Sequence, residues 1–248
     1  MHKIKFYVIG LLFLFGTNKN FAQKDQKVHL AFTVNPNVTW LVPTNEGYNS
    51  EGVKMGITYG VITDFRLFGI ENYSLSSGFT FSHIGGKISS PDAVGQTGAM
   101  IAATRNSNYS LTNIDVPMVI RLKTNEIGYN VFYGVFGTEL GFNINAKEKY
   151  TQTYGSTITK EMENDVSSDV NLFRTSLVFG FGLERAISGN TSWRIGLTFH
   201  NGLTNIFQGK SYFVDDNGNT VISNGNPQED RDLSTKLKFL ELNASIVF

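Results

Sequence analysis

The sequence contains no cysteine, and an exported chain without cysteine has no disulfide framework, no lipoprotein anchor and no thiol chemistry. An excess of charge is missing too, since 21 basic side chains balance 21 acidic ones. Nucleic-acid binders carry a basic excess to neutralise phosphates, so nucleic acid is not an expected partner. Past the first residues, no apolar run approaches the roughly 20 residues that a membrane helix needs. The longest stretches, such as 176–183, are strand-sized and broken by glycine and serine. Histidine is scarce, with four in the chain, which leaves little material for metal or acid–base sites. Stability must therefore come from closure, packing or burial in a membrane.

What is present begins with an export pattern. His2, Lys3 and Lys5 give a short positive start, Phe6 to Gly16 an apolar run, and Phe21-Ala22-Gln23 a small-residue cleavage site. This is the layout of a secretory signal peptide over residues 1–22, with the apolar run too short to span a membrane. Residues 23–248 remain as one domain.

That domain alternates apolar with small or polar residues, the period-2 mark of half-buried strands. Eight such segments follow one another. Val28, Leu30, Phe32 and Val34 form the first, and Val53, Met55, Ile57, Tyr59 and Val61 the second. Others centre on Tyr73–Phe81, Ile114–Leu122, Phe132–Ile144, Phe173–Leu183, Trp193–Phe199 and Leu240–Phe248. Pro117 has no N–H to donate, so a bulge or missing ladder bond is expected there. Connections alternate long (41–51, 84–108, 145–169, 206–234) with short (65–72, 124–130, 186–191). The expected fold is all-β: an eight-stranded antiparallel up-and-down transmembrane β-barrel of the cell outer membrane, with long extracellular loops and short periplasmic turns. Alternation alone does not say which face is outside, and a lipocalin-like barrel or a sandwich would alternate too. The polar face is mostly Gly, Ser and Thr, suited to a narrow interior. Large aromatics sit near strand ends, with Tyr73, Phe132 and Trp193 toward the short turns and Phe81, Phe142, Phe173 and Phe199 toward the long loops. Aromatic girdles of this kind mark membrane interfaces, so outer-membrane lipid is the expected surrounding.

Three segments resemble the PorT-like family of outer-membrane β-barrel domains: Ile114-Asp115-Val116-Pro117, Tyr133-Gly134-Val135-Phe136-Gly137 with Leu140-Gly141, and Gly202-Leu203-Thr204-Asn205-Ile206. The likeness runs from about Lys27 to Phe248 and implies the same porin-like barrel. It identifies a domain type and no particular activity, although the family name belongs to a component of an envelope protein-secretion pathway.

Candidate chemistry is confined to the inward face. Glu139, Arg174 and His200 fall at one height on neighbouring strands, and Asp115 and Arg121 also point inward, with Lys54, Tyr133, Arg194 and Glu241. Charges of both signs in a narrow barrel pair across it, so these residues read as a structural polar network filling the lumen. An enzyme built around His200 would need an oriented nucleophile, and none is evident. No cofactor and no metal is expected. Asp215–Asn219 departs from a calcium loop at Thr220 and Asn226, and Asn217-Gly218 reads as a hairpin turn. The expected role is a scaffold or interaction barrel with an occluded lumen, engaging another envelope protein. A small pore, a secretion component and a barrel enzyme stay open as alternatives. Phe248, after Ile246, Ala244, Leu242 and Leu240 at alternate positions, resembles the assembly signal read by the barrel-insertion machinery.

Overall fold

A computed structural model describes residues 28–96 and 99–248. The expected signal peptide, residues 1–22, and the cleavage position before Gln23 lie outside the described residues. Eight long strands carry the chain: β1 (Val28–Pro43), β2 (Lys54–Arg66), β3 (Tyr73–Gln96), β4 (Ala99–Lys123), β5 (Val131–Tyr154), β6 (Phe173–Ser188), β7 (Thr191–Gly202) and β8 (Thr235–Val247). Each pairs antiparallel with its sequence neighbours. β1 also pairs with β8, which closes the ring. Closure matters because hydrocarbon offers no hydrogen-bond partner to a free strand edge.

The face left open by the sequence is settled by exposure. Phe32, Val34, Tyr59, Phe79, Phe136, Phe179, Leu197 and Leu242 point out, while Thr33, Asn35, Thr58, Asp64, Ser76, Asp115, Glu139 and Arg194 are buried. A lipocalin-like barrel would have the opposite sense. Tyr59, Phe81, Ile114, Phe142 and Phe173 occupy one continuous row of cross-strand partners from β2 to β6. Within that row Phe142 and Phe173 meet edge to face at 5.2 Å. This row forms the girdle on the long-loop side. At the opposite end the β2–β3 turn carries Phe68 (φ 55°) and Gly69 (φ 71°). Two successive left-handed residues make a type I′ turn, which suits glycine and strains phenylalanine.

Two of the expected long loops are largely strand. β3 and β4 continue as a paired hairpin up to the Gln96–Ala99 rung, and β5 runs on to Tyr154. β1 likewise extends past Asn35 to Pro43. The alternation changes phase in this upper part. Below it the inward series are polar, such as Ser76, Thr80 and Ser82, but above it Leu41, Ile84, Ile88, Leu111, Ala146 and Leu237 point in and are buried. Val166, Val170, Ile206, Phe207 and Phe239 complete this apolar plug. The outward positions there, such as Lys87 and Lys149, are exposed. A strand leaving lipid for water has to exchange its faces, and a phase change reads from sequence as a break.

Proline interrupts the ladder twice. Between β3 and β4 the pairing skips the two rungs around Pro117, between Ser77–Met118 and Thr80–Asp115. Between β1 and β8 it skips Val34, Asn35 and Pro36. There Asn35 substitutes for the backbone: its Oδ1 accepts from the Ala244 N–H at 3.1 Å. A side-chain amide can do this because it carries the same donor and acceptor groups as a peptide.

Candidate functional site

The inward positions place charges at two heights, and neighbouring strands supply the partners that burial demands. The lower group lies toward the short turns. Asp64 of β2 accepts from Arg121 Nη1 of β4 at 3.2 Å and from Arg194 Nη2 of β7 at 2.8 Å, and from Ser76. Glu184 of β6 accepts from Arg194 Nη2 at 2.8 Å and pairs with Lys123 Nζ at 2.9 Å. The Tyr133 ring faces both guanidiniums, 4.9 Å from Arg121 and 5.6 Å from Arg194. Glycine makes room for it, because a Cβ at Gly182 or Gly196 would come 2.4 Å from the Tyr133 hydroxyl.

The upper group lies nearer the long loops. Arg174 Nη2 of β6 donates to Asp115 of β4 and Glu139 of β5, each at 2.8 Å. His200 Nδ1 of β7 stands 3.3 Å from Glu139, and its ring stacks on Phe239 with centroids 4.0 Å apart. Phe239 belongs to the apolar plug, so the plug rests directly on this group. Glu241 of β8 accepts from Asn35 Nδ2 at 2.8 Å. Between the two groups is a chamber of about 70 Å³, bordered by charged members of both, Arg121 and Arg194 from below and Glu139, His200 and Glu241 from above, with Thr58 and Thr198 between them.

Four of the five lumen residues singled out from sequence, Asp115, Glu139, Arg174 and His200, meet in the upper group. Arg121 does not join them. It lies six residues further along β4, roughly 20 Å of strand, and serves the lower group instead. Asp64 and Glu184 escape the sequence reading as site residues. The second segment is read only to Val61, and following its inward series Thr58, Gly60 and Ile62 one step further finds Asp64. Lys54, expected inside, sends Nζ to Asn108 Oδ1 at 3.3 Å and Tyr109 O at 3.0 Å, beside exposed Ser110. Pairing of β2 with β3 ends at the Ile57–His83 rung, which frees Lys54 to turn away. Phe248 exchanges backbone hydrogen bonds with Leu30 at 2.8 and 3.2 Å, and its ring meets Phe32 edge on at 6.1 Å.

Above the plug a third polar group binds the loops together. Arg105 Nε donates to Glu148 at 2.9 Å, and its guanidinium lies 3.5 Å over the Tyr150 ring. Asp92 accepts from Gln152 Nε2 at 2.7 Å, and its backbone carbonyl from Thr220 at 2.8 Å. Tyr48 packs against the plug, where burial pushes its hydroxyl up to about 12. Asp215 Oδ1 accepts from the Asn217 and Asn219 N–H groups at 2.9 and 2.8 Å. That carboxylate oxygen serves its own hairpin turn, with Gly218 left-handed at φ 78°.

A family model described as an outer membrane protein beta-barrel domain matches residues 21–208. No curated protein matches the chain. Among solved structures, Neisserial surface protein A shares 12% identity and a TM-score of 0.36, over 88% of this chain and 97% of its own. Ail, the attachment invasion locus protein of Yersinia pestis, shares 11% and 0.36, over 90% and 100%. The outer membrane protease OmpT from Escherichia coli shares 6% and 0.33, over 89% and 96%. Likenesses this weak bring no function with them.

Proposed function

We propose that this chain, which belongs to the outer membrane protein beta-barrel domain family and resides in the outer membrane, is a scaffold or interaction protein with a lumen that does not conduct. The observation that carries this reading is obstruction at three heights: the Asp64–Arg121–Arg194 group, the Arg174–Asp115–Glu139–His200 group and the apolar plug around Phe239. Eight strands leave an interior just wide enough for side chains, and here those side chains are bonded to one another across it. Ions would have to break buried pairs at two levels and then cross an apolar layer. No enzymatic step enters the reading: His200 is buried beneath Phe239, and the Thr198 hydroxyl 3.3 Å from its Nε2 is itself buried and already accepts from Asn243 Nδ2 at 2.8 Å. Interaction is assigned to the upper tower, whose hairpin and loops are fixed to each other through Asp92, Glu148 and Thr220. The test is reconstitution of the purified protein in a planar bilayer. Little or no steady conductance is expected, and reproducible channels of porin size would overturn the reading.

The finer likeness to PorT-like barrels supports a place beside other envelope proteins, as in a secretion assembly. It rests on Ile114–Pro117, Tyr133–Gly141 and Gly202–Ile206, which here supply Asp115, Tyr133 and Glu139 to the lumen and Ile206 to the plug. Crosslinking in intact cells, followed by identification of what is joined to the tower or the short turns, tests it. A barrel recovered without any envelope protein attached would count against that place.

A further inference from the structure

We propose that Lys236 and Lys238, on the outer side of β8 beside Trp40, bind the headgroup phosphate of an outer-leaflet lipid. The outward series of β8 runs Ile246, Ala244, Leu242, Leu240 and then changes to Lys238 and Lys236. Leu240 and Leu242 are exposed, as lipid-facing side chains are, whereas Leu237 and Phe239 point into the plug. The change therefore marks the height at which β8 leaves hydrocarbon. Trp40 of β1 stands opposite Lys238 in the ladder, and its ring stacks on Phe199 of β7 with centroids 6.0 Å apart. Phe199 is in turn the cross-strand partner of Leu240. Tryptophan at such a point marks the boundary between hydrocarbon and headgroups.

Neither lysine has an ion-pair partner among the described residues, where the paired lysines are Lys123, Lys147, Lys149 and Lys210. The carboxylates nearest along the chain do not serve them. Glu241 is buried in the lumen, and Asp232 lies in the loop beyond β8, opposite Lys210. Near the short turns the matching is different. Arg66 lies 3.4 Å from Glu71 and Lys123 2.9 Å from Glu184, and Arg185 lies over the Tyr129 ring. Unmatched positive charge thus borders the apolar band of β8 on the long-loop side, where it meets the headgroups of the outer leaflet.

The spacing suits one phosphate. Residues two apart on a strand leave the same face about 7 Å apart, and a lysine stem can lie along apolar surface while its ammonium reaches polar surroundings. Both ammoniums can therefore converge on a single anion, with charge-assisted hydrogen bonds to its oxygens. The ligand is a lipid and not free phosphate because the site continues downward as the apolar strip of Leu240, Leu242 and Phe199, which takes acyl chains. This goes beyond the scaffold role and does not depend on whether the lumen conducts.

The chain contains two tryptophans, so Trp193→Phe leaves Trp40 as a reporter beside the site. Quenching of its fluorescence by brominated acyl chains, in vesicles mixing phosphatidylglycerol with phosphatidylcholine, measures which lipid sits there. Anionic phosphatidylglycerol is expected to be preferred by roughly fivefold for each lysine engaged. Lys236→Gln with Lys238→Gln should abolish the preference. Lys147→Gln with Lys149→Gln, which removes the same charge from the tower, should keep it. Equal quenching by both lipids, or a preference that survives Lys236→Gln with Lys238→Gln, would overturn the proposal. Loss of the preference on adding inorganic phosphate at fixed ionic strength would overturn it too, by showing a site for the free anion. Native mass spectrometry of the unsubstituted chain in detergent, offered both lipids in equal amounts, needs no variant. Retention of phosphatidylglycerol in excess is expected, and equal retention would overturn the proposal.

Discussion

Replacing Arg174 and replacing Arg121 remove the same charge, but the neighbours they leave behind differ. Without Arg174 the buried carboxylates of Asp115 and Glu139 lose their shared donor, and neither has another arginine or lysine in contact among the described residues. Without Arg121, Asp64 still holds Arg194 at 2.8 Å. Breaking a buried pair so that a charge stays uncompensated costs about 3–5 kcal/mol. Arg174→Gln is therefore expected to lower unfolding stability in detergent by that amount, and Arg121→Gln by clearly less; equal losses would mean the two groups are not separate. Tyr133 gives a second prediction. Gly196→Val puts side-chain atoms where the Tyr133 hydroxyl lies, so the ring must leave its place beside both guanidiniums. Overpacking of this kind costs about 1–3 kcal/mol, and pairing Gly196→Val with Tyr133→Ala should recover part of the loss in the same unfolding experiment.

The β3–β4 hairpin shows how a single element can serve two solvents. Its lower half is lipid-facing, and its upper half rises as a self-paired ribbon whose inner side helps to build the plug. Excising residues 90–105 should leave the ring of eight strands intact, so the unheated protein should still migrate compactly on a detergent gel and shift on boiling. The same deletion removes Asp92, and with it the anchors to Gln152 and Thr220. Cleavage by added protease within 203–234 should then become faster in limited proteolysis of intact cells; unchanged cleavage would mean the loop is held by other contacts. Sequence reading finds the lower half of this hairpin because Tyr73, Leu75, Phe79 and Phe81 keep one phase. It loses the upper half at His83, where Ile84 and Ile88 put the apolar side on the opposite face. The same physics hides Leu41 in β1 and Leu111 in β4. Of the site, the upper group is legible because its members fall on segments already recognised as strands. Asp64 is missed because its strand is read too short, and the division into two groups needs the register between strands, which one sequence does not supply.

At the scale of the molecule, stability rests on closure. Circular dichroism should show a β spectrum without substantial helix, and the gel shift described for the deletion should appear in the wild type as well; helical content or the absence of a shift would contradict the ring. The ring is not uniform around its circumference, however. At the junction of β1 and β8, three consecutive residues, Val34, Asn35 and Pro36, fall outside the backbone ladder, and the Asn35 amide stands in for the missing rungs. A side chain can swing aside at far less cost than a strand can peel away, so this stretch is the weakest stave of the cask. Amide protons of Val34, Leu242 and Ala244 should exchange with deuterium sooner than those of the β5–β6 junction, where pairing is unbroken from Val131–Glu184 to Phe142–Phe173. Asn35→Ala should speed that exchange further, giving the barrel a hinge line along which its wall can part.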